Sequence, residues 1–355
     1  MKRLLRFSLL SMVFMLIGFN STYAADGDVI LHETFDDANG TGGNDNQWSG
    51  SIAGSGYSKS GWTFAKPYKG DRCVKLATGS AIGSITTPSQ SFENGKTYTI
   101  IFRAGAWQGD ATALKVIYKV STETTLASSV SLTQSEFKVY SYTFTATGAG
   151  TIKIETTGKK RCFVDDIMIV EGSKVKVTIA SSGWSSMTTP VGLDFSGVEG
   201  LTAYKVSSVT ASAVNLASVD EAAGATGLLL NGTGGTTYSI PIKATATAVT
   251  SNELSAAYSA TPAAADALYI LKSGQLCLVN AAGSNVPAGK SYLLASKVPS
   301  SARDLTFNFE ESTTAINQVE RETINHDGYY DLLGRKVANP SKGLYIVNGK
   351  KVIIK

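Results

Sequence analysis

Two adjacent carboxylates, Asp165 and Asp166, stand within an otherwise apolar run, Phe163–Glu171 (FVDDIMIVE). The run predicts a β-strand that is covered on both faces. A buried ionised carboxylate costs several kcal/mol unless a cation, a hydrogen-bond donor or a metal ion compensates it. Because successive strand residues point to opposite faces, we expect each carboxylate to need its own partner. For Asp166 we expect either a loop cap or a pair with Arg161 or Arg103.

Catalytic chemistry would need reactive side chains that this sequence keeps apart. Glycoside hydrolysis requires two carboxylates across a cleft, and Glu33 and Asp165 are both expected among apolar neighbours, with no cleft implied. The only two histidines, His32 and His326, fall in separate regions, and no serine stands in a G-x-S-x-G motif. We therefore predict that the chain is not an enzyme.

The first residues predict export. Basic residues precede a short apolar stretch, Leu9–Ile17, and small residues end at Ala24, the order of a secretory signal peptide over residues 1–24. Without the three basic residues of that segment, 29 basic residues remain against 28 acidic ones, so no nucleic-acid surface is expected. No later apolar run approaches the ~18 residues of a membrane span, so we expect an exported chain without one.

The three cysteines leave two alternatives open. Cys73 and Cys162 fall on predicted strands of one domain, whereas Cys277 lies far along the chain. An exported protein permits a disulfide between the first two, and small buried thiols are the other reading.

Short β-type runs with turn residues between them fill the first half of the chain. They are Val29–Phe35, Cys73–Ala77, Gly83–Thr87, Thr97–Ala104, Ala113–Val120, Phe137–Thr145, Thr151–Thr156 and Cys162–Val170. This spacing predicts a two-sheet sandwich with jelly-roll or Greek-key connections. The polar segment 36–59 is expected to be a long loop, a common place for binding residues.

The whole chain is predicted to be all-β. After the signal peptide we expect a jelly-roll domain at 25–172, a second β domain at 173–310, a linker at 311–327 and a small β-hairpin module at 328–355. Within the module, Asn348-Gly349 between two apolar runs predicts a two-residue hairpin turn. The alanine- and threonine-rich tract at 243–265 is expected to be a loosely packed loop.

The first domain resembles the galactose-binding-like jelly rolls of bacterial surface proteins, which include carbohydrate-binding modules. The matching stretches are HETFDD at 32–37, GW at 61–62, GDRCVKLATG at 70–79, TTPSQSFENGKTYTIIFRAGAW at 86–107 and FVDDI at 163–167. The resemblance implies a structural calcium ion on two matching carboxylates, Glu33 and Asp165. Pairing of these side chains with Lys or Arg, or with backbone N–H groups, is the alternative.

Such modules bind sugars by stacking aromatic rings on them and by donating a few polar hydrogen bonds. The expected ligand-binding residues are Trp48, Tyr57, Trp107 and Arg103, with Tyr68 and Gln108 as further candidates. Trp48 and Tyr57 are favoured because they lie in the polar loop, while core packing is the competing role for any one aromatic residue.

The last residues resemble the C-terminal sorting domains of Bacteroidetes type IX secretion substrates. The matching features are DLLGRKV at 331–337, GLYIV at 343–347 and KKVIIK at 350–355. The resemblance implies contact with secretion machinery and an extracellular or outer-membrane surface location. From all these features we expect a non-catalytic exported surface protein that binds glycan through its jelly roll. A purely structural or adhesive surface protein and a glycan-active hydrolase are the alternatives.

Overall fold

The computed structural model describes residues 27–49, 56–280, 283–299, 302–309, 328–331, 335–347 and 350–354. These residues contain thirty β-strands and one short 3-10 helix, Ala295–Lys297, so the all-β prediction is confirmed. They divide into two compact units, one up to residue 310 and one from residue 311. The predicted signal peptide and the predicted linker lie outside the described residues.

The first unit begins with a sandwich of two antiparallel sheets, as predicted. In spatial order, the first sheet contains β3 (Pro67–Lys69), β4 (Val74–Leu76), β11 (Cys162–Glu171), β6 (Thr97–Ala106) and β9 (Lys138–Thr145), and β1 (Val29–Glu33) also pairs with β11. The second sheet contains β2 (Thr63–Ala65), β5 (Ser84–Thr86), β10 (Thr151–Thr156), β7 (Ala113–Lys119) and β8 (Glu123–Ser131). The sequence did not predict β8, because its serine- and threonine-rich segment is largely exposed at a sheet edge.

Strict alternation places apolar side chains between the two sheets. Ile100 and Phe102 of β6 meet Ile152 and Ile154 of β10 in this core, while Ile101 of β6 points to the opposite face. All ten residues of β11 are buried, so the prediction of a strand covered on both faces is confirmed.

A β-bulge breaks the alternation of β11 at the two aspartates. Asp165 lies opposite Arg103 and Met168 lies opposite Ile101, so two residues of β11 face one residue of β6. Asp166 has a φ of 46°, the left-handed conformation that aspartate tolerates better than most residues. The extra residue brings both carboxylates to the same outer face of the sheet. The prediction that they point to opposite faces is therefore wrong.

Residues 173–309 cover that outer face. A nine-stranded sheet runs in the spatial order β13 (Trp184–Thr188), β18 (Gly227–Gly232), β15 (Leu201–Val209), β16 (Ala213–Val219), β26 (Asp304–Phe309), β23 (Gln275–Leu278), β22 (Leu268–Lys272), β25 (Lys290–Leu294) and β20 (Leu254–Ala257). Three two-stranded sheets accompany it: β12 (Lys174–Thr178) with β19 (Thr237–Pro241), β14 (Leu193–Asp194) with β17 (Glu221–Ala222), and β21 (Thr261–Ala263) with β24 (Ser284–Val286).

The nine-stranded sheet curls until its two ends meet. The N–H of Thr188 in β13 donates to the carbonyl of Gly289 at 2.7 Å, and the Ser291 hydroxyl in β25 donates to the carbonyl of Leu228 at 2.8 Å. The tract predicted to be a loose loop contains β20 and β21, with buried Leu254 and Ala257. That prediction is wrong in part, because small alanine side chains fill narrow space between strands as well as they fill loops.

One hydrophobic cluster crosses the predicted boundary at residue 172. Met168 and Val170 of β11 pack in it with Val175, Val191 and Leu193. The separation into domains at 172 and 173 stays a prediction, since these two regions share buried surface within one compact unit.

The second unit is a four-stranded antiparallel sheet. Its spatial order is β28 (Lys336–Val337), β27 (Tyr329–Tyr330), β29 (Gly343–Val347) and β30 (Lys350–Ile354). Val347 pairs with Lys350, so β29 and β30 are joined by two residues. The predicted Asn348-Gly349 turn itself falls on residues that are not described.

All three cysteines are free. Cys162 faces the core between the two sheets, whereas Cys73 packs with Trp107 and Phe163 on the other side of the first sheet. The two thiols therefore cannot form the disulfide that the sequence left open. Among the described residues, no helix is long and apolar enough to cross a membrane.

Candidate functional site

Arg103 is the centre of the charged cluster that the two aspartates imply. Its side chain projects from the outer face of β6 and is only 8% exposed. Its Nε donates to Asp166 Oδ2 at 2.7 Å, and its Nη2 donates to Asp165 Oδ2. The same Nη2 donates to Asn44 Oδ1 at 3.1 Å, and the Asn44 amide donates back to Asp165 at 3.3 Å.

Two aromatic rings enclose the Arg103 guanidinium group. Its Cζ lies 4.6 Å from the ring centroid of Phe137 and 4.3 Å from that of Tyr258. Phe137 precedes β9, whereas Tyr258 lies between β20 and β21 in the second half of the unit. The Tyr258 hydroxyl donates to the carbonyl of Pro190. The guanidinium group thus joins the sandwich to residues 173–309.

The cluster contains one more carboxylate than guanidinium groups. Burial and the neighbouring charge of Asp165 hold the pKa of Asp166 well above its usual value. Burial also raises the pKa of Asp165, although Arg103 opposes that shift. Asp165 Oδ1 and Asp166 Oδ1 are buried and have no hydrogen-bond partner among the described residues. The cluster pairs buried charges of the sandwich beneath residues 173–309 and so stabilises the fold.

The two carboxylates expected to hold calcium are each committed to another group. Glu33 accepts a hydrogen bond from the Phe35 N–H at 2.8 Å and pairs with Lys59, and Asp165 pairs with Arg103. Within the described part of the chain, no group of three or more His, Cys, Asp or Glu side chains is arranged to hold a metal ion. As placed, these side chains do not fit a shared calcium site; the calcium implied by the resemblance stays untested, and the structure gives the opposite expectation.

Three of the four expected ligand-binding side chains are inaccessible. Tyr57 is 4% exposed and donates to Asp37 Oδ1 at 2.7 Å. Trp107 is 3% exposed and stacks on Phe163, with ring centroids 5.3 Å apart. Arg103 is buried as described above. The expectation that these three side chains face a ligand is wrong. Burying their apolar surface stabilises the sandwich more than leaving it exposed in a polar loop would.

Trp48 is the partly accessible member of the expected set. It is half-buried and meets Phe137 and Phe163 edge-on, with centroid distances of 5.2 and 5.3 Å. Tyr57 belongs to the core between the sheets, while Trp48 packs in a separate cluster on the other face. No exposed Trp48–Tyr57 pair exists. Of the further candidates, Tyr68 is half-buried and Gln108 is exposed.

A groove of about 590 Å³ runs along β9, at the edge of the first sheet. One wall is formed by residues 137–142, and the other by small residues of the second half: Val191, Gly192, Ala223, Gly224, Ala225, Ala244 and Ala248. Gly224 lies so close to β9 that an added Cβ would come within 2.7 Å of Val139 Cβ. Glycine at this position therefore lets the second half approach β9 closely.

Tyr140 and Tyr142 are the aromatic side chains of β9 that line the groove. Both are half-buried, and both stack on Phe102, with centroid distances of 5.6 and 6.4 Å and interplanar angles of 27° and 29°. Phe102 packs against both rings from within the sandwich, and the Tyr140 hydroxyl donates to the Ser131 carbonyl of β8 at 3.2 Å. The sequence analysis missed these residues, because alternating aromatics within a strand have the pattern of a buried core.

Comparison with known proteins finds no matching family model and no matching curated protein. Among solved structures, the chain is similar to the CBM22-1 xylan-binding domain of Paenibacillus barcinonensis Xyn10C, at 16% identity and a TM-score of 0.31, over 42% of this chain and 97% of that one. It is also similar to the K1 cleaved adhesin domain of Lys-gingipain from Porphyromonas gingivalis W83, at 13% identity and a TM-score of 0.28, over 40% and 98%.

A third similar structure is TmCBM61, solved in complex with β-1,4-galactotriose, at 16% identity and a TM-score of 0.23, over 32% of this chain and 83% of that one. With TM-scores of 0.31 or less, these three likenesses carry no argument about the site in this chain.

Replacing Arg103 should destabilise the protein strongly. In Arg103→Met the two buried carboxylates lose their cation, so the free energy of unfolding should fall by about 3–5 kcal/mol. Lys119→Met is the matched control, because the Lys119–Glu123 pair is exposed on the same sandwich and its loss should cost about 1 kcal/mol or less. Urea unfolding measures both changes, and equal losses would contradict a central role for Arg103.

The raised pKa of Asp166 should make its contribution to stability depend on pH. The folded state holds this proton at a pH where the unfolded state has released it, so stability is lost as pH rises from the unfolded pKa, about 3.9, through the folded pKa. Wild type should therefore gain stability relative to Asp166→Asn as pH falls. Asp110, whose pKa is lowered chiefly by hydrogen bonding from Arg161, should give the opposite slope in Asp110→Asn. Melting curves from neutral to acidic pH provide the measurement, and a flat Asp166→Asn difference would refute the assignment.

Calcium removal should leave the sandwich unchanged. Because Glu33 and Asp165 already have cationic partners, we expect the same melting temperature in millimolar calcium and in excess EDTA. Glu33→Gln serves as the control for the carboxylate itself, since it weakens the Lys59 pair under both conditions. If calcium raises the melting temperature of the wild type but not that of Glu33→Gln, the calcium site at Glu33 is supported.

Proposed function

We propose that this chain is a non-catalytic exported surface protein that binds glycan in the groove along β9. The observation that supports this proposal is the pair of half-buried tyrosines, Tyr140 and Tyr142, beside a groove of about 590 Å³. A groove of this size falls within the ~300–1,000 Å³ of ordinary ligand sites.

The two tyrosines form a rigid surface for successive sugar units. Alternate residues of a strand lie ~7 Å apart and point the same way, so the two rings stand side by side on β9, the strand that forms one wall of the groove. β9 pairs with β6 over all eight of its residues, and Phe102 supports both rings. Since both rings are already held in place, binding costs little side-chain entropy.

Polar groups for sugar hydroxyls lie on the same wall. Lys138 and Ser141 also line the groove. Within the described sheets β9 pairs only with β6, so the backbone N–H and C=O groups of its other edge face the groove. An edge of this kind offers donors and acceptors in a row, as sugar hydroxyls require.

A binding role without catalysis agrees with how the carboxylates are used. Glu33 is paired with Lys59 and Asp165 with Arg103, so the pair that a glycan hydrolase would need is occupied by internal salt bridges. Export is supported by the signal-like residues 1–24 and by the resemblance of residues 328–355 to sorting domains. Both remain part of the proposal.

Removal of one groove tyrosine should weaken glycan binding. In Tyr142→Ala the loss of one stacking surface should raise the dissociation constant for a bound polysaccharide at least tenfold, about 1.4 kcal/mol. Electrophoresis of the full chain through gels that contain a panel of soluble polysaccharides, followed by titration with the best ligand, measures the change.

Tyr68→Ala is the matched control, because Tyr68 is a half-buried tyrosine on β3, at the opposite edge of the same sheet. It should bind like the wild type, and melting temperatures confirm that both variants fold. Equal losses in both variants would place the site elsewhere. The absence of binding across the panel at millimolar sugar would favour the structural or adhesive alternative.

A further inference from the structure

A second cavity, of about 270 Å³, lies in the curled sheet of the second half, at the seam where its two ends meet. β13 forms one side, and the turns before β25 and after β22 form the other. The residues that determine its chemistry are Trp184, Ser182, Ser186, Ser273, Pro287 and Lys290. The cavity shares no residue with the groove along β9, so its ligand does not depend on the proposed function.

Trp184 provides an aromatic wall that is held from behind. Its ring lies 4.7 Å from Phe307, 5.7 Å from Tyr204 and 6.2 Å from Phe309, centroid to centroid. The indole is nevertheless half-buried and reaches the cavity. The Ser273-Gly274 turn closes over it, since a Cβ on Gly274 would lie 3.4 Å from Trp184 Cδ1.

The lining of this cavity carries a positive charge and no negative charge. Lys290 is the charged residue of its lining, and no carboxylate contributes to the wall. Within the described part of the chain, Lys290 forms no ion pair. The residue is exposed at the start of β25, and partial desolvation of its ammonium group lowers its pKa. An anionic group placed there would gain an unopposed cation.

Some hydroxyl groups of the cavity lining form hydrogen bonds within the fold, and others have none. Ser185 accepts from the Ala180 N–H at 2.9 Å, and Ser291 donates to the Leu228 carbonyl at 2.8 Å, so both serve the fold. The Ser186 and Ser273 hydroxyls have no hydrogen-bond partner among the described residues and remain available to a ligand. An aromatic wall, free hydroxyls and one cation therefore meet in one small space.

We propose that this cavity binds a single sugar residue that carries a carboxylate, of the uronic acid class. The sugar ring lies against Trp184, its carboxylate pairs with Lys290, and its hydroxyls bond to Ser186 and Ser273. The volume is close to the lower end of the range for ligand sites, so it suits one ring and excludes a polymer chain. A neutral sugar would leave the Lys290 ammonium unpaired, which is why the site favours the acid.

The test compares acidic with neutral sugars on the full chain. Isothermal titration with glucuronate and with galacturonate should give dissociation constants at least tenfold lower than those for glucose and galactose. The difference should shrink as sodium chloride is added, because salt screens a partly exposed ion pair. No binding of either uronate at millimolar concentration would overturn the proposal, as would equal binding of acid and neutral sugars.

Two lysine variants locate the site. Lys290→Met should remove the preference for the acid, whereas Lys272→Met should keep it, because Lys272 precedes Ser273 but does not line the cavity. Trp184→Phe keeps a ring in the aromatic cluster and should weaken both classes of sugar. A preference for uronate over the neutral sugar that survives in Lys290→Met, or uronate binding that is lost in Tyr142→Ala, would refute this site, and the second result would assign the acid to the groove along β9.

Discussion

The burial of one guanidinium group between two carboxylates and two aromatic rings is the interaction on which the first unit depends. Arg103 lies on the outer face of a sheet, where an uncovered strand would normally present it to water. Here residues 173–309 cover that face, and Tyr258 closes over the guanidinium group. Removing such a charge from water is unfavourable unless every partner is in place. The bulge at Asp166 provides the second carboxylate, so strand geometry and charge pairing require each other.

This constraint explains why the outer face of the first sheet is covered. The outer face of the first sheet carries Ile101, Met168 and Val170, which pack against the second half of the unit. The side chains of Arg103, Tyr57 and Trp107 are buried by packing and by hydrogen bonds within the protein. The exposed part of the same sheet is its β9 edge, where the small residues around Gly224 leave space beside Tyr140 and Tyr142.

In the second half of the unit, too, some aromatic residues pack in the core while another lines a cavity. Phe307 and Tyr204 support Trp184 from inside the curled sheet. Closure of that sheet brings β13 next to β25, and the cavity beside Trp184 is a consequence of this closure. Both candidate sites therefore lie where one sheet edge meets a wall of small or turn residues, and neither lies in the long polar loop.

Local patterns in the sequence determined the strands and the class of fold. Period-two alternation and Gly- or Asn-containing turns are local properties, so β10 was predicted to the residue. The full burial of β11 also followed from its own composition. What only the tertiary structure decided was the direction and accessibility of individual side chains. A single left-handed residue, Asp166, reversed the alternation of its strand, and no local pattern distinguishes an aspartate in a bulge from one in a regular strand. Likewise Tyr57, in a polar loop, is buried, whereas Tyr142, in a strand with alternating aromatic residues, lines a groove, because burial depends on which distant segment packs against each of them.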